Sequence, residues 1–204
     1  MTRTISTAWQ EFKTRFIDRL AEQVTHFLSP VVVIPAYFIF LIVNYSQTAG
    51  QAFQLGMIIF GLGVLPIILW LIYLKKTHRI TDWDVTKRQE RYRLNIIALI
   101  WGILMWLIFQ SSAPLVLTRQ ITPVLVWLFL FTLITFKWKI SAHSGAITLV
   151  TVLISLRSGG WWWSCLTLIP LVSWSRIYRH NHNWWEIVGG IGVATVAALT
   201  RFLI

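Results

Sequence analysis

Long apolar runs near 28–46, 54–74, 94–111, 119–136, 140–156, 160–174 and 186–203, separated by short polar linkers, set the pattern of this chain. A helix crossing a bilayer upright needs roughly 20 apolar residues, and several runs are shorter, so the pattern predicts an all-α integral membrane bundle of six or seven spans, with seven preferred. Before the first run, Trp9, Phe12, Phe16, Leu20, Val24 and Phe27 recur at spacings of three and four, while Lys13, Arg15, Asp18, Arg19 and Glu22 fill the other faces. This is the period of an amphipathic helix. Aromatic residues opposite basic ones suit a helix lying in the headgroup plane, with packing on a soluble partner as the plainer alternative. The chain therefore divides into an interfacial amphipathic helix, 1–27, and a polytopic bundle, 28–204. No repeat or low-complexity tract interrupts it.

Seven spans put the N-terminus and the linkers 75–93, 137–143 and 175–185 on one face. That face then carries fifteen of the eighteen Lys and Arg residues, and the other holds only Arg119, Arg157 and Arg201. The positive-inside rule predicts a multi-pass cell-membrane protein with the basic face in the cytoplasm. Trp161, Trp162 and Trp163, on the opposite face, suit an aromatic belt at the interface.

Composition sharpens this picture. An apolar fraction of 56% and a mean hydropathy of +0.67 exclude an ordinary soluble domain. The formal charge of +11 comes from residues beside the apolar runs, which favours anionic lipids or an anionic substrate as partners and argues against nucleic acid. A single cysteine, Cys165, permits no internal disulfide, and the N-terminus lacks the features of a signal peptide. Nothing in the pattern specifies an oligomeric state or a cofactor.

Two polar segments carry candidate chemistry. In 175-SRIYRHNHNWWEIVGG-190, a final helix starting near Asn181 would place His182 and Glu186 on one face, so that the carboxylate holds one ring nitrogen and leaves the other free to attack. Arg176 and Arg179 lie just upstream, and a phosphate at that helix start would also meet unpaired backbone N–H groups. His180 would point elsewhere, and Gly189, Gly190 and Gly192 suit close helix packing. In 137-KWKISAHSG-145, Lys137, Lys139, Ser141 and His143 gather at the start of another apolar run, where Ser141 can cap the helix or bind a phosphate oxygen. No cysteine accompanies the histidines, and the i, i+4 partner of His182 is a glutamate, so a zinc site fits poorly and no metal is expected.

Ser175-Arg176, five residues, His182, three residues, Glu186 resembles the third signature of the type 2 phosphatidic acid phosphatase superfamily, S-R-x5-H-x3-D, with Glu for Asp. Ile140-Ser141-Ala142-His143 resembles its second, P-S-G-H. The first, K-x6-R-P, is degenerate: there is no Arg-Pro pair, Lys87 would need an arginine at Leu94, and Arg91 a lysine at Asp84. The linker 84–93 supplies Arg88 and Arg91 as expected phosphate ligands, with Lys87 and Arg93 in reserve. The resemblance covers roughly 84–190.

It implies a membrane-bound, metal-independent lipid phosphatase acting on a phosphatidate-type lipid or an isoprenyl diphosphate. His182 would attack phosphorus, Glu186 would orient it, and His143 would protonate the leaving group. Arg176, Arg88, Arg91, Lys139 and Ser141 would neutralise the phosphoryl oxygens. Transfer of the phosphate to another alcohol is the enzymatic alternative. A transporter or non-catalytic subunit is the other, with His182 and Glu186 then a structural ion pair.

Overall fold

The structure, a computed structural model, describes residues 2–112 and 115–203, with side chains for 13–110 and 117–203. Among these the chain is entirely helical, without strands. Four helices are long and apolar enough to cross a membrane: Ala49–Lys76, Arg88–Gln110, Leu117–Thr135 and Trp184–Phe202. Lys13–Phe27 and Pro30–Tyr45, bent by 49° at the break between them, make a fifth if they form one span.

Helix α1 (Thr2–Phe27) ends where Pro30, which has no backbone N–H, starts α2 (Pro30–Tyr45). Ala21, Val24 and Thr25 bury its C-terminal half against α8 (Leu168–Tyr178), where the Ser175 hydroxyl donates to the Ala21 carbonyl at 2.7 Å. Phe16, Leu20 and Phe27 of the expected apolar face stay exposed, whereas Val24 packs inward. The side chains of Trp9 and Phe12 lie outside the described residues.

The next helix runs through α3 (Ala49–Gly56), a π-helical stretch, Met57–Val64, and α4 (Leu65–Lys76). Pro66 cannot donate to the Leu62 carbonyl one turn back, and the Trp101 indole N–H donates there instead. Trp101 belongs to α5 (Arg88–Ser112), which packs along α6 (Leu115–Thr135).

The centre of the bundle is α7 (Ala142–Ser158), whose residues His143–Thr151 are all buried. Its Thr148 and Thr151 hydroxyls donate to carbonyls one turn back, Ser144 and Ile147 at 2.7 Å each, so neither hydroxyl is left unpaired among apolar neighbours. With 17 residues it spans about 25 Å, shorter than an upright crossing of a bilayer. The run expected to cross at 160–174 is divided into a 3-10 stretch, Gly160–Thr167, and the short α8. Gly159 and Gly160, at φ 62° and 54°, make the turn from α7 into that stretch in a region that side chains rarely adopt.

The last helix, α9 (Trp184–Leu199), lies against α7 through small residues, with Gly190, Ala194, Ala197 and Ala198 buried. A Cβ on Gly190 would sit 2.5 Å from the Ser141 carbonyl oxygen, and one on Gly189 would sit 2.6 Å from Trp138. One on Gly192 would meet nothing within 4 Å. Gly190→Ala should therefore cost about 1–3 kcal/mol, as overpacking does, read as a lower thermal midpoint in detergent, while Gly192→Ala leaves it unchanged or raises it. Equal midpoints for both variants would contradict the packing described.

Candidate functional site

The chain reversals at 77–87, 136–141 and 179–183 meet at one end of the bundle. Arg88 donates to the Lys137 carbonyl at 2.6 Å, Arg91 to the Ile140 carbonyl at 2.8 Å, and Lys139 to the Asn181 carbonyl at 2.9 Å. The Ser141 N–H donates to the Glu186 carbonyl at 2.9 Å, which fixes the start of α7 on the start of α9.

Asn183 caps α9, accepting from the Glu186 N–H at 3.0 Å, and the Glu186 side chain returns to the Asn183 N–H in a capping box. The helix thus begins at Trp184, later than the sequence pattern suggests. His182 lies before the cap, yet its Nδ1 is 2.6 Å from Glu186 Oε2. A carboxylate there requires the proton on Nδ1 and leaves a lone pair on Nε2. That Nε2 is buried and has no hydrogen-bond partner. Burial, followed by the charges of Arg91, Arg176 and Lys139 and by His143, holds the His182 pKa well below the usual imidazole value and keeps the ring neutral. Lys139 is itself lowered, first by partial burial, with the charge of Glu186 opposing.

Arg176 is fully buried. Its Nη1 donates to Asp84 Oδ2 at 2.6 Å, and the Asn181 side-chain oxygen, in the amide orientation that satisfies both groups, accepts from Nη1 and Nη2 at 3.2 Å. Its Nε is left without a partner. The other oxygen of Asp84 stands 3.7 Å from His143 Nε2, a third buried nitrogen with no hydrogen bond. Arg91 is buried too, with Nε donating to the Val85 carbonyl at 2.8 Å. Ser141 is the N-cap of α7, its hydroxyl accepting from the Ser144 N–H at 3.3 Å.

Of the residues singled out by sequence, His182, Glu186, His143, Arg176, Arg91, Lys139 and Ser141 come together, with Arg88 at the edge, its guanidinium turned to a backbone carbonyl. Lys87 is exposed beside Glu90, and His180 is exposed at φ 54°. Sequence reasoning assigned no role to Asp84 or Asn181. The available signal was the interval from Asp84 to Arg91, which puts a carboxylate where the resembling signature has its lysine. Among the described residues no three His, Cys, Asp or Glu side chains are grouped so as to hold a metal ion. No protein-family model, no curated protein and no solved structure matches the chain.

Three cations, two carboxylates and two imidazoles thus share a water-poor corner that contains three unsatisfied donors or lone pairs. Buried polar atoms without partners call for an explanation, and three gathered together mark a candidate site. Nε of Arg176 can donate to an anion, and Nε2 of His182 can donate an electron pair.

Proposed function

We propose that the chain is an integral-membrane lipid phosphatase that hydrolyses a phosphoric ester or diphosphate of a lipid through a phosphohistidine. The carrying observation is the buried, unbonded Nε2 of His182, aimed by Glu186 and set beside Arg176. The likeness of segments 140–143 and 175–186 to two signatures of the type 2 phosphatidic acid phosphatase superfamily supports the same reading.

The His182 Nε2 lone pair attacks phosphorus as the bond to the leaving oxygen breaks, and His143, kept neutral by burial and the charges of Arg176 and Arg91, is protonated on Nε2 when the phosphate anion binds and gives that proton to the leaving oxygen. Arg176 Nε, Arg91 and Lys139 neutralise charge on the phosphoryl oxygens, which is where most of the rate enhancement arises. Water then attacks the phosphohistidine, His143 takes up its proton, and the N–P bond breaks. Glu186 stabilises the imidazolium that develops in the first step. Arg88 and Ser141 act by fixing backbone, through the Lys137 carbonyl and the first turn of α7. With an acceptor alcohol in place of water the same steps transfer phosphate. Against a transport role stands the location of the cluster at helix ends, whereas transporters place their sites near the bilayer midplane.

The basic end of the bundle faces the cytoplasm in this account, α1 lies along the headgroups with Phe16, Leu20 and Phe27 toward lipid, and the exposed Trp161 and Trp163 mark the opposite interface. Purified protein should release phosphate from lipid phosphates without added divalent metal, and His182→Ala should remove that release. Glu186→Gln should lower kcat by about 10²–10⁴. Full activity in His182→Ala would overturn the proposal. In a Cys165→Ser background, a cysteine at Trp161 should react with an impermeant thiol reagent in intact cells and one at Arg179 should not. The reverse pattern would invert the topology.

A further inference from the structure

A cavity of about 470 Å³ opens between α1–α2, the π-helical stretch, α5 and α6. Its wall follows one face of α5 from Arg91 through Asn95, Ala98 and Met105 to Phe109, about 27 Å at a rise of about 1.5 Å per residue. That nearly matches the roughly 30 Å hydrocarbon core of a bilayer. Apart from Asn95 and the groups at the site end, the wall is overwhelmingly apolar, while at that end stand Asp84, Arg91 and His143. His182 and Arg176 are not part of the wall. The cavity therefore reaches the corner from the His143 side, where a leaving group would lie.

Asp84 makes that end selective. The 3.7 Å between its Oδ1 and His143 Nε2 is too long for a hydrogen bond, but one oxygen atom can lie within bonding reach of both. The neutral His143 ring holds its proton on the other nitrogen, toward the Thr25 backbone, so both groups accept here, and a hydroxyl can donate to either the carboxylate or the Nε2 lone pair. A phosphate oxygen only accepts, and it would face a fixed negative charge. Asp84 cannot easily withdraw. The turn that bears it is tied by Asp82 to Thr86 and by Arg91 to the Val85 carbonyl, with Val85 itself buried. Three residues of the wall, each more than nine-tenths buried, carry a polar atom without a partner: His143 at Nε2, Trp127 at Nε1 and, one turn along α5 from Arg91, Asn95 at Nδ2.

We infer that the cavity is the binding site of a long-chain alcohol, chain along α5 and hydroxyl between His143 Nε2 and Asp84 Oδ1. Resting on the phosphatase reading, this makes the alcohol the part of the substrate that phosphate release leaves behind, with the phosphate on the Arg176 and His182 side of His143. Asp84 then favours the released hydroxyl at this end and turns phosphoryl oxygens toward Arg176.

The test is photolabelling of the full chain in nanodiscs with hexadecanol carrying a diazirine at the chain end, adducts being mapped by mass spectrometry. Labels should fall on α5 and α6 residues of the wall, such as Met105 and Phe131, and should be lost with excess hexadecanol but not with hexadecane. Met105→Trp, which fills the cavity without touching its polar end, should lose most of the label. In Asp84→Ala, hexadecanol should compete no better than hexadecane. Labels confined to exposed residues such as Phe129 and Leu133, or equal competition by the two probes, would overturn the inference. Phosphate release from hexadecyl phosphate, measured in parallel, separates the two claims. Correct labelling without release leaves the alcohol site standing and removes the phosphatase reading, and release with labels outside the cavity does the opposite.

Discussion

A guanidinium buried completely in an apolar bundle is the constraint around which this molecule is organised. Arg176 has no exposed surface, and an unpaired charge there would cost several kcal/mol. Compensation comes from two other places in the chain, Asp84 on the turn after α4 and Asn181 on the turn before α9. Holding those groups at one fork brings two chain reversals to the end of α8. The third, carrying Lys139 and Ser141, is drawn in by hydrogen bonds from Arg91 to the Ile140 carbonyl, from the Ser141 N–H to the Glu186 carbonyl, and from Lys139 to the Asn181 carbonyl. What could have been three separate polar loops at a membrane boundary becomes one cluster.

The same constraint leaves the cluster its unpaired atoms. Arg176 uses its Nη groups structurally and keeps Nε free. Asp84 spends one oxygen on Arg176 and leaves the other toward His143. Glu186 serves twice, capping α9 and holding His182, so the His182 tautomer is fixed by an ordinary helix start. The small residues of α9 allow this start to lie directly on the first turn of α7, bringing His143 and His182 close without a loop between them. Helix packing and site geometry are therefore the same set of contacts.

Much of this could be read from the amino-acid order. Hydropathy located the helices of the bundle because apolar runs have nowhere else to go, and the spacing of Arg176, His182 and Glu186 pointed to the polar cluster because charge is scarce elsewhere. Hydropathy did not distinguish a helix facing lipid from one enclosed by protein: α7 is apolar because it is central, and 160–174 is apolar although it changes from 3-10 to α-helix at Leu168. The start of α9 was placed too early because the cap is a side-chain geometry at Asn183, visible only once Glu186 is seen to turn back. Asp84 was legible as a departure from a pattern but not as a partner, since pairing across 92 residues has no local signal.

The central claim is that His182 is the atom donor to phosphorus. Rapid mixing of the protein with a lipid phosphate, an alkaline quench and peptide mass spectrometry tests it most directly. The account predicts a phosphate on the His182 peptide that appears and decays at a rate sufficient for turnover. Phosphate release with the label on another residue, or with none on His182 at any time, would contradict it.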